Sequence, residues 1–244
     1  MHIHFLRHAT VVIAWGTHKI LVDPMLSHKD ALDTVPNAAN TRRNPLIDLP
    51  LSHTELAALL DTIDAVIVTH LHRDHWDVAA QQLVPKHLPL FCQPEDVEKL
   101  TAQGFTQLIP VHDTTTWEGI RISRTGGQHG TGDIGKLMAP VSGFVLEEGA
   151  DRLYIAGDTI WCDEVKATLD QYQPTDTIVN AGAAQFLTGD PITMTAEDVL
   201  QVLQHPANTR VTAVHMEAIN HCYLTKEKLK ATIGDSFGDR LFIP

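Results

Sequence analysis

Three histidines and one aspartate fall within six consecutive positions, His70-Leu71-His72-Arg73-Asp74-His75. Imidazole and carboxylate are the ligands that divalent zinc accepts at about 2.0–2.2 Å. Residues i and i+2 after a strand point to the same side, so His70 and His72 are expected to face one metal. Once the chain turns toward the next helix, Asp74 and His75 can serve a second metal. A polar loop with incidental histidines is the alternative. It is disfavoured because the cluster follows directly on the apolar run Asp64–Thr69.

A dinuclear site needs further ligands, and three later segments offer them. His129 follows Gly126-Gly127-Gln128, where the glycines allow close backbone approach, and would complete the trio on the first metal. Asp158 ends the run Tyr154-Ile155-Ala156-Gly157, and a carboxylate there can bridge two cations; helix capping is its competing role. His215 ends Val211-Thr212-Ala213-Val214 and is a natural last ligand for the second metal. His2 and His4, which alternate on the first strand, have no expected metal role, and His112-Asp113 lacks a partner motif.

The elements that must position these groups are legible from period and punctuation. Apolar runs at His2–Leu6, Ala9–Trp15 and Lys19–Val22 read as strands, with a hairpin turn at Gly16-Thr17. Asp23–Pro50 is rich in Pro, Asn and Asp and reads as a long loop, a feature often tied to function. Ser52-His53-Thr54-Glu55 is a capping box opening a helix through Leu60. Strands are predicted at 64–69, 89–92, 107–111, 119–125, 143–147, 152–156, 176–180 and 210–214. Helices are predicted at 77–83, from Pro94 to Gly104, at 162–172, from Thr195 to Gln204, and after Thr225. Early strands come mostly as hairpins and later ones alternate with helices. This predicts an α/β, four-layer αββα sandwich of two mixed sheets flanked by helices, in one domain over residues 1–244.

Composition narrows the function classes. With 43% hydrophobic and 20% charged residues the chain is ordinary globular material. A net charge of −12 argues against nucleic acid as a partner, and no apolar run approaches the ~18 residues that would span a membrane. An anionic small-molecule substrate stays open, because bound dications reverse the local potential. Cys92, Cys162 and Cys222 are odd in number and not in C-x-x-C spacing, so they read as partly buried apolar residues of a cytoplasmic protein. A homo-oligomer is left open. The excess is in histidine, 15 residues, which is what a metal site draws on.

The ordered series His-x-His-x-Asp-His, a histidine in a glycine-rich loop, Gly157-Asp158-Thr159 and a strand-end histidine resembles the metallo-β-lactamase superfamily. The resemblance runs from Ile20-Leu21-Val22-Asp23-Pro24 to His215. It implies His70, His72 and His129 on metal one, Asp74, His75 and His215 on metal two, and Asp158 bridging. Arg7-His8-Ala9-Thr10, Val22-Asp23-Pro24, Trp76-Asp77 and Met194-Thr195-Ala196-Glu197 resemble the branch with ascorbate-6-phosphate lactonase and N-acylphosphatidylethanolamine phospholipase D relatives. What this implies is a metallo-hydrolase with two divalent ions, zinc first and manganese or iron next. A hydroxide bridging the metals would cleave a carboxylic ester or lactone, a phosphorylated sugar lactone among them. A phosphodiesterase using the same metals is the alternative, and a non-catalytic metal-binding protein is a third reading.

Asp74, a ligand, and His221, a proton donor in the loop before the last helix, are the candidate catalytic groups. Asp23 and Asp77 are read as carboxylates orienting ligand imidazoles, with helix capping an equal role for Asp77. His8 is read as a pocket group or a support for a ligand. Trp161 and Asn180-Ala181-Gly182 are candidate pocket walls, with core packing the alternative for Trp161. Arg73, Arg124 or Lys136 beside the pocket would favour an anionic substrate.

Overall fold

A computed structural model describes residues 1–138 and 140–244. The first half of the chain builds one six-stranded sheet in the order β1-β2-β3-β4-β5-β6. Strands β1 (His2–Arg7), β2 (Thr10–Trp15) and β3 (His18–Val22) form an antiparallel meander. Strands β4 (Ala65–Val68), β5 (Leu90–Cys92) and β6 (Leu108–Pro110) then add in parallel. The crossovers carry helices α1 (His53–Leu60), α2 (Val78–Leu83) and α3 (Val97–Ala102).

The second half repeats this plan as a seven-stranded sheet. Strands β7 (Thr114–Trp117), β8 (Ile120–Thr125), β9 (Gly143–Glu148) and β10 (Asp151–Ile155) are antiparallel, with α4 (Gly132–Met138) between β8 and β9. Strands β11 (Asp176–Asn180), β12 (Arg210–Val214) and β13 (Leu241–Phe242) follow in parallel. Helices α5 (Asp163–Tyr172), α6 (Ala196–Gln204) and α7 (Lys226–Ile233) connect them.

Alternation along the strands divides the core into three layers. On β4, Ala65 and Ile67 enter the layer between the sheets and meet Phe144, Leu146 and Leu153. Val66 and Val68 face the other way, onto Leu56, Leu60 and Leu100 of the helices. Val179, Val211 and Ala213 of the second sheet likewise cover Leu169, Val199 and Leu229 of α5–α7. All of these side chains are buried, and at about 1.5–3 kcal/mol for each large one this packing holds the layers together.

The predicted αββα arrangement is observed. The helices predicted through Leu60, at 77–83 and from Pro94 form the crossovers of the first sheet. Three elements were not predicted. Strand β7 is the polar run Thr-Thr-Thr-Trp at a sheet edge, half-exposed along its length. Helix α4 carries two glycines and no buried residue, so period and propensity both argue against it. Strand β13 has two residues.

Candidate metal centre

The histidines and carboxylates collect at one edge of the sandwich, where the parallel strands end. Helices start after those ends, so the chain leaves each strand through a loop that can turn a side chain inward. His70 and His72 leave β4, Asp158 leaves β10, His215 leaves β12, and Asp23 leaves β3. His8 sits in the turn between β1 and β2. Three of these groups adopt the left-handed backbone that side chains rarely take: His8 at φ 58°, Asp23 at 44° and His215 at 71°. Such strain persists where surrounding contacts over-determine it, and it clusters at functional sites. Gly182 allows a close approach that no other residue would. A Cβ there would stand 2.6 Å from the His215 carbonyl and 2.9 Å from its Nδ1.

Two groups of ligand atoms result. His70, His72, His129 and Asp158 offer atoms all within 4.8 Å of one another, as do His8, Asp74, His75 and His215. In the first, His70 Nε2 lies 2.9 Å from His72 Nδ1, and His129 Nε2 lies 3.4 Å from Asp158 Oδ2. In the second, His75 Nε2 lies 3.2 Å from His215 Nε2, and Asp74 Oδ2 lies 3.5 Å from His215 Nε2. Asp158 reaches both groups, with Oδ2 3.2 Å from His75 Nε2 and Oδ1 3.2 Å from His215 Nε2. Ligands held tetrahedrally at about 2.0–2.1 Å from zinc stand roughly 3.3 Å apart. The donor set therefore suits divalent metal ions, with Asp158 within reach of both groups and His8 joining Asp74, His75 and His215 in the second.

Behind the ligands, specific partners orient the rings of His70, His75, His129 and His215. Asp23 accepts from His75 Nδ1 at 2.9 Å and from the Thr69 hydroxyl at 2.8 Å, while Thr69 Oγ1 lies 3.0 Å from His70 Nδ1. His129 Nδ1 donates to the Ile192 carbonyl at 2.7 Å. Asn180 Nδ2 donates to Asp158 Oδ1 at 2.7 Å. His215 Nδ1 has Cys222 Sγ at 3.7 Å. His8 Nε2 lies 3.1 Å from Asp74 Oδ2, and its ring stacks on His215 with centroids 3.6 Å apart. Partners of this kind fix tautomer and orientation and raise ligand basicity.

Electrostatics separates the two groups. Burial, with neighbouring histidines, pushes the His70 imidazole well below its ordinary value, and burial also lowers His72 and His129. These rings keep a free lone pair at neutral pH. Burial opposes charge on His75 too, but Asp158, Asp23 and Asp74 overcome it and hold this ring up at about 10. His215 is raised in the same way, chiefly by Asp158 against burial. Burial works against ionised Asp74 and Asp158 as well, yet the surrounding histidines keep both well below the usual carboxylate range.

A sequence profile for the β-lactamase superfamily domain matches residues 18–216, which contain every member of the two groups except His8. The chain belongs to the metallo-β-lactamase superfamily. Within it, UPF0173 protein YddR of Bacillus subtilis is 38% identical over 234 residues, covering 94% of this chain and 91% of that protein. A UPF0173 metal-dependent hydrolase of Thermoplasma acidophilum is 32% identical over 106 residues, covering 43% of this chain and 46% of that protein. Isothiocyanate hydrolase from Delia radicum gut bacteria is 36% identical, with a TM-score of 0.92 over 100% of this chain and 96% of that one. This UPF0173 family member is thus a metal-dependent hydrolase.

A cavity of about 350 Å³ opens over the ligands of the hydrolase, lined by His72, Asp74, His129 and Asp158. Its remaining wall is largely apolar: Val35, Pro36, Met138, Phe186 and Ile192. His221 lines it as well. It is buried, with Nδ1 unpartnered, and burial lowers its pKa to about 4, so the ring is neutral at neutral pH. Of the cations considered, Arg73 lines the cavity and donates from Nη2 to the Thr34 carbonyl. Arg124 instead donates to His112, and Lys136 pairs with exposed Asp133.

Other expectations change. Asp77 touches no ligand imidazole; it caps α2 through the Ala80 N–H and accepts the Ser27 N–H. Trp161 packs against the α5–α7 core and lies outside the cavity wall. Asn180 serves Asp158 and does not line the cavity. Cys92 is buried in the core as expected, but Cys222 backs a ligand. The Ile192 carbonyl and the apolar wall went unnoticed in sequence. Only the long loop pointed to them, by supplying Val35 and Pro36.

Proposed function

We propose that this hydrolase cleaves a small electrophile whose reacting carbon carries an apolar substituent, with an isothiocyanate as the first substrate class. The observation that carries the reading is the apolar wall facing the paired ligand groups. The full-length similarity to an isothiocyanate hydrolase supports it. Arg73 on the cavity wall, with Nη2 given to the Thr34 carbonyl, is the support for a phosphorylated lactone or a phosphodiester; it is one cation against five apolar wall residues. An unphosphorylated ester or lactone is the second reading. Its support is the likeness of the Arg7–Thr10 and Met194–Glu197 segments to the lactonase and phospholipase D branch.

His70, His72, His129 and Asp158 would hold one divalent ion, and Asp74, His75, His215 and Asp158 the other. Such ions lower the pKa of water toward about 7 and polarise the electrophile. The apolar wall excludes bulk water and leaves the substituent no polar partner to leave unsatisfied. In the net reaction, the oxygen of water bonds to the central carbon and the C–N bond breaks. Nitrogen takes both protons to leave as an amine, and carbon leaves as carbonyl sulfide. His221, neutral at working pH, has one ring nitrogen to accept a proton and one to give it, which suits delivery to the departing nitrogen.

Amine release from alkyl and aryl isothiocyanates by the zinc-loaded protein tests the substrate class. Ester, lactone and phosphodiester substrates are run alongside. Turnover of phosphodiesters alone would overturn the reading. For His221, His221→Ala should lower kcat by about 100-fold with a smaller change in KM; an unchanged rate and pH profile would remove its role.

A further inference from the structure

Pro36, Met138 and Phe186 are walls of a second cavity as well as of the first. This outer chamber, about 560 Å³, continues through Ile134, Leu137 and Leu187 and has no ionisable side chain in its lining. Leu137 and Leu187 are 72% and 67% exposed, two of the six large apolar side chains left open to solvent among the described residues. Both lie at the mouth of one site. Helix α4, which supplies Ile134, Leu137 and Met138, buries no residue of its own, so its apolar side chains are free to serve a ligand. The chamber's walls are tied together: the Leu187 N–H donates to the Asn37 carbonyl at 2.7 Å.

We propose that the outer chamber is a binding subsite for the far end of the substrate's apolar substituent, so that the hydrolase selects long alkyl or arylalkyl chains over short ones. Continuity with the catalytic cavity commits the groove to substrate. A chain anchored at the metal centre that leaves past Phe186 and Met138, walls common to both cavities, meets Leu137 and Leu187 of the outer one. A neutral, uncharged lining in a protein of net charge −12 suits a neutral tail. Each methylene moved from water into such a surface adds about fourfold in affinity. The proposal rests on the apolar-substituent reading above, though not on which bond is cleaved.

The test is therefore a binding series. Alkyl hydroxamates from acetyl to decanoyl, which chelate a metal through their two oxygens, are titrated calorimetrically into the zinc-loaded full-length protein. Affinity should climb through the series. In Leu137→Ser/Leu187→Ser the ratio of decanoyl to acetyl affinity should fall by about tenfold. Both residues are exposed, so the fold is not at stake, and Phe186→Trp, narrowing the passage, should cut the same ratio. A flat series, or a ratio unmoved by both variants, overturns the subsite. So does a double variant that only converts a dimer to a monomer, since the patch would then be an interface between copies. A steep series in a protein that cleaves neither isothiocyanates nor esters keeps the subsite and sinks the reaction reading instead.

Discussion

The two ligand groups share Asp158 but are prepared for a metal in opposite ways. His70 and His129 are turned by neutral partners, a threonine hydroxyl and a backbone carbonyl, and burial lowers both of these rings and His72. His75 faces Asp158, Asp23 and Asp74, and His215 faces Asp158 and Asp74; these carboxylates outweigh burial and favour positive charge on the rings. The first group therefore favours neutral rings, and the second favours protonated ones. Two neighbouring ligand groups can thus differ in what governs metal binding, geometry in one and pH in the other.

The largest expected effect comes from erasing the comparison. Asp158→Ala removes the carboxylate common to both groups, and hydrolysis should fall by more than about 100-fold, the scale on which one lost polar contact to a transition state is felt. Metal analysis of the same variant should show both positions weakened; loss confined to one would break the bridging assignment. Asp23→Asn comes next, because Asp23 backs His75 directly and His70 through Thr69. Metal affinity should drop about 10–100-fold at both positions, read by competition with a chromophoric chelator.

The pH response then separates the groups. His75, held at about 10, is protonated at neutral pH and must lose its proton to ligate. Affinity of the second position should rise about tenfold per pH unit for each proton released, between about pH 6.5 and 10. The first position, whose rings already lie below 6.5, should be nearly flat there. Calorimetry in two buffers of unlike ionisation enthalpy counts the protons, and equal release from both positions would contradict the contrast. The same shift, raised in the folded state, stabilises the metal-free protein fully below about pH 6.5, and that stability is lost as pH climbs toward 10. His221, depressed to about 4, acts the other way and costs stability as pH falls from about 6.5 to 4.

A smaller, one-sided effect belongs to His8. His8→Phe keeps a ring to stack on His215 but drops the hydrogen bond to Asp74. Affinity at the second position should fall by about tenfold and the first should be spared. His8→Gln, which restores a donor, should recover most of it. The smallest change is expected at Cys222→Ser. A sulfur 3.7 Å from His215 Nδ1 is a weak partner, and second-position affinity should move by less than about threefold.

Much of this centre was legible in the sequence because its information is local. His70–His75 follow one strand, and a strand's period of two and its end determine where side chains point. His129, Asp158 and His215 could be found because each ends a strand or glycine-rich turn. Asp23 was legible on similar grounds. Asp77 had two equal readings, because capping and ligand support draw on the same residue type at the same kind of position, and it caps α2. Strand β7 and helix α4 were missed because neither buries a face, so neither leaves an apolar period to read.

The sequence by itself determined the donor inventory, its order and the strands that carry it, since these follow from residue chemistry and short-range geometry. Only the tertiary structure decided how the donors divide. Asp158 comes within 3.2 Å of both His75 and His215 through packing of segments far apart in the chain. His8 meets Asp74 across 66 positions, and the cavity wall draws on loop 34–36, Met138 at the end of α4 and the loop around Phe186. Charge states followed from that packing, because burial and carboxylate proximity are properties of the assembled site and not of any segment. The histidine cluster announces a metal; the fold determines which ligand group must first give up a proton.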